Sequence, residues 1–341
     1  MHKTLALCAA RVIVITYGVL LVVGFMWITV ACARGEGARS SATSEEEPHA
    51  SFTEWQIIDT ATGQRVSFDQ WMALLLQQDL IYLGEEHHNR FHVDAAIRVL
   101  TRLKAEGRIP VLAMEMFGWD GQAGLDQYLS DSDMNRQEFL ETVRWEQNWG
   151  GPYEDYEPLV RLAKAQHWAI DAMNPPKALV RIVAKNGLAQ SGSDPMMAQW
   201  GMKDEAIVDD PAYRTRILQQ LQACHGGGAD SLYQAMFEAS MVRDEGMAKT
   251  LVHRLKQLRS GGNAMAGPLV SYTGGGHIQY NLPVPKRVVR RFTGPVRQVS
   301  IYMTSFEIGR IEEVQDMVRE KIADYLWLTP VSAQGPHRRC R

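Results

Sequence analysis

Leu80-Ile81-Tyr82-Leu83-Gly84-Glu85-Glu86-His87-His88-Asn89-Arg90-Phe91-His92 decides how the chain reads. Its first four residues form a short apolar run with the β-branched and aromatic content of a buried strand. Gly84 stops that run, and acids and imidazoles then stand side by side. Val93, Ala96, Ile97, Leu100 and Leu103 follow at helical spacing. Strand, glycine turn, polar cluster, helix is the order in which an open α/β sheet presents chemistry at the carboxyl end of a strand.

Working outward, comparable apolar runs occupy residues 110–116, 167–173, 268–273 and 296–303. Helical patterns separate them, over 93–104, from Leu125 onward, and over 156–165 and 177–185. Such alternation predicts an α/β fold with a mostly parallel sheet flanked by helices. Residues 52–66 read as a hairpin turned at Thr62-Gly63, and Ser67 with Gln70 starts a helix over 68–76. A mostly helical stretch, 190–262, forms a cap inserted before the fourth core strand, and 231–258 reads as one long helix. The cap carries Met196, Met197, Met202, Met236, Met241 and Met247. Such a cover suits a large flat apolar ligand, because methionine is polarizable and repacks easily. After the fifth strand, 311–325 reads as a further helix.

The 341 residues are enough to bury a sizeable core. A net charge of −3 argues against nucleic acid as a partner, since that needs a basic face. The four cysteines, at 8, 32, 224 and 340, make neither a disulfide framework nor a thiolate zinc pattern.

At the amino terminus Lys3 and Arg11 lead into an apolar run over 12–33, long enough for a bilayer span of about 20 residues. It ends in Ile28-Thr29-Val30-Ala31-Cys32, which resembles a bacterial lipobox with Cys32 as the lipidated residue, although Thr29 stands where Leu is usual. The alternative is an uncleaved membrane anchor. Residues 1–33 are thus a lipoprotein signal peptide or anchor, and 34–50 are a Gly-, Ser- and Glu-rich tether. The folded domain covers 51–330, and 331–341 form a tail. Either reading places the folded part outside the inner membrane, with the outer membrane favoured by Ala33.

The predicted strands end in Glu85 and His87, Glu115, Asn174 and His277, and parallel strands bring their carboxyl ends to one edge. Glu85, His87, Glu115 and His277 could bind a divalent metal, exchange protons, or satisfy one another. His88 and His92, four apart, could also pair on a helix. Gly274-Gly275-Gly276 before His277 lets backbone amides approach a ligand. It is no dinucleotide fingerprint, and no Gly-x-Ser-x-Gly elbow occurs. Gly246 inside the long helix costs about 1 kcal/mol against Ala, which suggests close packing there. Arg243 is placed to clamp an edge carboxylate.

Together Gly84-Glu85-Glu86-His87, Ala113-Met114-Glu115-Met116-Phe117, Arg243-Asp244-Glu245-Gly246-Met247-Ala248 and Gly274-Gly275-Gly276-His277 resemble the ChaN-type haem-binding lipoproteins. The likeness covers about 79–329, with His88 departing from the family's usual Asp. It implies a haem-binding protein ahead of an enzyme: a lipid-anchored envelope protein holding ferric haem for iron uptake or storage, as a homodimer working with a receptor or transporter. It also implies a tyrosinate iron ligand, for which Tyr233, then Tyr280, are the candidates, assisted by His225 and Arg243. The family is distantly similar to Tiki-type proteases and erythromycin-esterase-like hydrolases. An envelope hydrolase using Glu85, His87, Glu115 and His277 is therefore the competing function.

Overall fold

The computed structural model describes residues 52–130, 133–224, 226–333 and 335. The apolar run with Cys32, the tether, His225 and most of the tail lie outside the described residues. Residues Ala50–Arg341 form one compact unit.

The expected hairpin is β1 (Ile57–Asp59) and β2 (Arg65–Val66), and the core strands begin with β3 (Leu80–Glu85) and β4 (Ile109–Gly118). They continue with β5 (Ile170–Asn174), β6 (Ala266–Gly274), β7 (Gln298–Ser305) and β8 (Tyr325–Thr329). Among the described residues these make one sheet in the order β2-β1-β8-β7-β3-β6-β4-β5. Every pairing from β8 to β5 is parallel, and β1 joins β8 antiparallel. The fold is α/β, as the alternation of strands and helices requires.

All six residues of β3 are buried, which explains an unbroken apolar run instead of alternation. On one face of the sheet, helices Phe68–Leu75, Arg90–Ala105 and Glu157–Ala165 pack Trp71, Leu100, Leu103 and Leu159 against Ile81, Leu83 and Met114. The capping box of Ser67 and Gln70 starts the first of these helices. On the other face, Leu251 and Leu255 of helix Asp230–Ser260 and Val288 of helix Val284–Arg291 pack on Leu80, Tyr82 and Leu269.

Three expectations need correction. The helix read over 311–325 stops at Arg319, and Lys321 takes a left-handed φ of 52° before the chain enters β8. Val314, Met317, Val318, Ile322 and Tyr325 continue a helical period by coincidence, which masked the short apolar strand. The third core strand begins at Ile170, three residues late, because His167 adopts a φ of 54°. The methionines do not line a ligand cover. Met197, Met202, Met241 and Met247 are buried in core clusters that hold the cap to the body.

The long helix has two functions. Its first half belongs to the cap, while Met247, Ala248, Leu251 and Leu255 make its second half the crossover that returns the chain from β5 to β6. Gly246 marks the change: a Cβ there would lie 2.2 Å from Cγ of Pro175.

Candidate functional site

β6 enters the sheet between β3 and β4, so the carboxyl ends of these three strands lie side by side. Register sets Glu85 opposite Gly274. Glu85, His87, Glu115 and His277 therefore meet on one rim, and each acid is satisfied by named donors.

Glu85, 3% exposed, accepts from Tyr156 (2.9 Å) and Tyr272 (2.5 Å), and its Oε1 lies 2.7 Å from Nδ1 of His87. Both phenols are buried against this carboxylate, and burial followed by its charge pushes their ionisation well above the ordinary range. They act as neutral donors. The His87 ring also stands edge-on to Trp149, with centroids 4.9 Å apart. Burial works against its charge, but the Glu85 hydrogen bond and carboxylates wins, and the His87 pKa rises above 6.5.

Glu115 is held from the glycine turn: Thr273 Oγ1 and the Gly274 amide each donate to Oε2 at 2.7 Å. His277 places Nε2 3.2 Å from the other oxygen and donates through Nδ1 to Asp244 at 2.6 Å. Asp244, contributed by the long helix, also accepts from the buried Tyr213 (2.6 Å). Burial alone would suppress charge on His277, yet flanking Glu115 and Asp244 push its pKa up to about 10. Reciprocally, burial raises the Glu115 carboxyl, but His277, with His87 and Arg243 at longer range, holds it well below 4.5. At neutral pH this is an imidazolium between two carboxylates.

The glycine run serves closeness, since none of its three members takes a left-handed φ. A Cβ on Gly274 would fall 2.8 Å from the His87 ring, and one on Gly275 would fall 2.5 Å from the Tyr302 ring. Beside the run opens a cavity of about 660 Å³, lined by His87, His277, Tyr280 and Tyr302 and by the polar helix Pro211–Cys224 through Arg216 and Gln220. That volume is within the range of small-molecule sites, ~300–1,000 Å³.

The remaining sequence candidates fall in different places. Tyr280 is on the cavity wall, donating to Glu320 (2.6 Å) beneath the Arg216 guanidinium. Tyr233 is buried and accepts from the Gly228 amide (3.0 Å), away from the cavity lining. Arg243 forms no ion pair within 4 Å of a described carboxylate, and its Nε is buried without a hydrogen-bond partner. His88 and His92 do not pair with each other: His88 turns to Asp155 (2.7 Å). The fully buried His92 accepts the Glu86 amide at Nδ1 (2.9 Å), so Nε2 carries the proton toward Thr329 (2.9 Å). No group of three or more metal-ligating side chains is arranged around a point among the described residues. Cys224, at the cavity edge, is disulfide-bonded.

Sequence reasoning missed Asp244, Tyr156, Tyr213, Tyr272 and Tyr302. A signal existed for Tyr272, two residues before Gly274 on one strand and hence on the same face. Asp244 sits within the helical motif already singled out, but only the tertiary fold shows that it reaches His277.

One solved structure shares this architecture, and others are more weakly similar. ChaN of Campylobacter jejuni, solved with cofacially bound haem, superposes with a TM-score of 0.60 at 18% identity, covering 80% of this chain and 95% of that one. An erythromycin esterase, EreC, in its open conformation matches at 0.39 and 13%, over 74% of this chain and 77% of its own. The type III effector HopBA1 matches at 0.41 and 13%, over 77% and 92%. No curated protein matches the chain. The family model described as haem-binding uptake, Tiki superfamily, ChaN matches residues 71–288, which include every member of the rim constellation. With its parallel sheet, capped rim and this match over more than half its length, the chain belongs to the ChaN family of haem-binding uptake proteins.

Proposed function

We propose that the chain binds ferric haem in the cavity beside the glycine turn, as a lipid-anchored envelope protein that holds or passes haem during iron uptake. The observation that carries this reading is the match to the haem-binding uptake family over residues 71–288, and the cavity of about 660 Å³, with imidazole and phenol groups on its wall, is the space it offers. Haem iron accepts imidazole nitrogen or phenolate oxygen as a protein ligand. Arg216, already stacked on Tyr280, is the lining cation suited to a propionate.

Lipidation at Cys32, placement in the outer membrane, a homodimer and a receptor or transporter partner complete the proposal. They rest on the lipobox-like sequence and on membership of the ChaN family.

The test is a hemin titration of the full-length protein, in which a saturable Soret band is expected. A folded protein that leaves the hemin spectrum unchanged would sink the reading. Turnover of an ester that vanishes in Glu85→Gln, with hemin affinity intact, would establish the envelope hydrolase instead.

A further inference from the structure

The cavity beside the glycine turn is polar, and acids dominate its wall. Glu85, Glu86, Asp316 and Glu320 line it, against a single arginine, Arg216. Glu85 and Glu86 are buried and answered by hydroxyls of Tyr156, Tyr272, Thr304 and Ser305. Asp316 and Glu320, in and just after helix Ile311–Arg319, keep side chains 35% and 46% exposed. On the same wall Cys224 ends helix Pro211–Cys224, exposed and disulfide-bonded.

The chain's other cysteines are Cys8, Cys32 and Cys340. The first two belong to the separate unit Met1–His49, whereas Cys340 belongs to the unit that holds Cys224. Topology points the same way. β8 runs parallel to β7, so Thr329 leaves the sheet at the carboxyl edge on which the cavity opens, two strand positions from β3. The stretch from Pro330 to Cys340 can extend over roughly 36 Å, well beyond the ~10 Å that separates β8 from β3. It ends in Pro336-His337-Arg338-Arg339-Cys340-Arg341, whose arginines complement the acids of the wall.

We propose that Cys224 is bonded to Cys340, and that this bond seats the chain's own segment 336–341 in the cavity as a redox-held plug. The proposal is independent of the haem reading: whatever the cavity takes, the segment must leave first. Arginine–carboxylate pairs near solvent are individually weak. The bond makes their docking intramolecular, at an effective concentration on the order of millimolar, so weak pairs suffice. A disulfide persists in an oxidising compartment, which accords with a folded part outside the inner membrane. Opening is a two-electron step. A dithiol supplies two electrons and two protons, the S–S bond breaks, both cysteines become thiols and the dithiol becomes a disulfide. Resealing returns the electrons to a disulfide oxidant and releases the protons.

The test uses the full-length protein. Non-reducing peptide mapping by mass spectrometry should find Cys224 joined to Cys340. Trypsin, which cuts after arginine, then reports docking. Arg338 and Arg339 should resist cleavage in the oxidised protein and lose that protection after dithiol treatment and in Cys340→Ser. Protection should also be lost in Asp316→Asn combined with Glu320→Gln, with the bond intact. Circular dichroism confirms that each variant is folded. Cys224 found as a free thiol, or joined to Cys8 or Cys32, would overturn the proposal. So would a segment cut equally fast before and after reduction, since the bond would then hold it without seating it. Full protection in the acid variant would overturn the contact with the wall.

Discussion

At the scale of single residues, His277 has the most consequential surroundings. Its charge lies between Glu115 and Asp244, which are 2% and 1% exposed, and removing it leaves two buried carboxylates without the counter-charge they share. His277→Gln is therefore expected to lower the unfolding free energy by about 3–5 kcal/mol, measured by urea denaturation. The pH dependence has a definite sign. A histidine raised from 6.5 to about 10 contributes its full stabilisation below 6.5 and loses it as pH climbs through 10. Glu115, held below 4.5, contributes above 4.5 and loses its part as acid takes it through its lowered pKa. Wild-type stability should fall between pH 6.5 and 10 more steeply than that of His277→Gln, in which His87 still contributes; parallel profiles would refute the assignment. Glu85, Glu115 and His277 were legible in the sequence because each terminates an apolar run. Their partners were not, since Tyr213 and Asp244 arrive from helices, and Tyr156 from the turn before one, whose packing no local pattern encodes.

At the scale of elements, two contacts make predictions that propensity alone would get wrong. Gly246→Ala gains about 1 kcal/mol of helix propensity, yet its methyl would fall 2.2 Å from Pro175. Neither a proline ring nor the helix backbone yields easily, so the substitution should lower the thermal midpoint; a rise would show that the contact relaxes freely. The close packing expected at Gly246 is present, although the sequence could not name Pro175 as the neighbour. The second contact closes the open edge of the sheet. Gln122 donates to the Ile170 carbonyl (3.0 Å) and accepts from the Ala172 amide (2.6 Å), satisfying the groups of β5 that face away from β4. Gln122→Ala should cost about 1–3 kcal/mol in urea denaturation, the penalty of backbone groups left unpaired. An unchanged midpoint would mean that water replaces the amide without loss.

At the scale of the whole molecule, the sequence revealed the architecture and missed its completion. Core strands β3 to β7 were readable as apolar runs, and the parallel rule then brought their polar ends to one rim. β8 was hidden by an accidental helical period, and the cover was misjudged because methionine content does not say which way a helix faces. The polar wall over the cavity comes from Arg216 and Gln220, in a helix with no pronounced apolar face in its sequence. A ligand that binds the folded chain alone stabilises it by mass action. Hemin at one hundred times its dissociation constant should add about 2.7 kcal/mol to the unfolding free energy. No shift at that concentration would place the bound hemin on a surface that unfolding leaves intact.

The 31-residue helix Asp230–Ser260 joins the rim to the sheet without a break. Asp244 touches the constellation, and about two turns further on, Leu251 is embedded in the floor of the fold. A rod anchored in this way cannot swing aside without tearing out the layer beneath it. Passage into the interior space therefore falls to the neighbouring helix Pro211–Cys224, rooted near its start by Tyr213 and Ile217 and exposed toward its end. The entrance should loosen at 219–223 once the Cys224 disulfide is reduced, while the rod beside it keeps still.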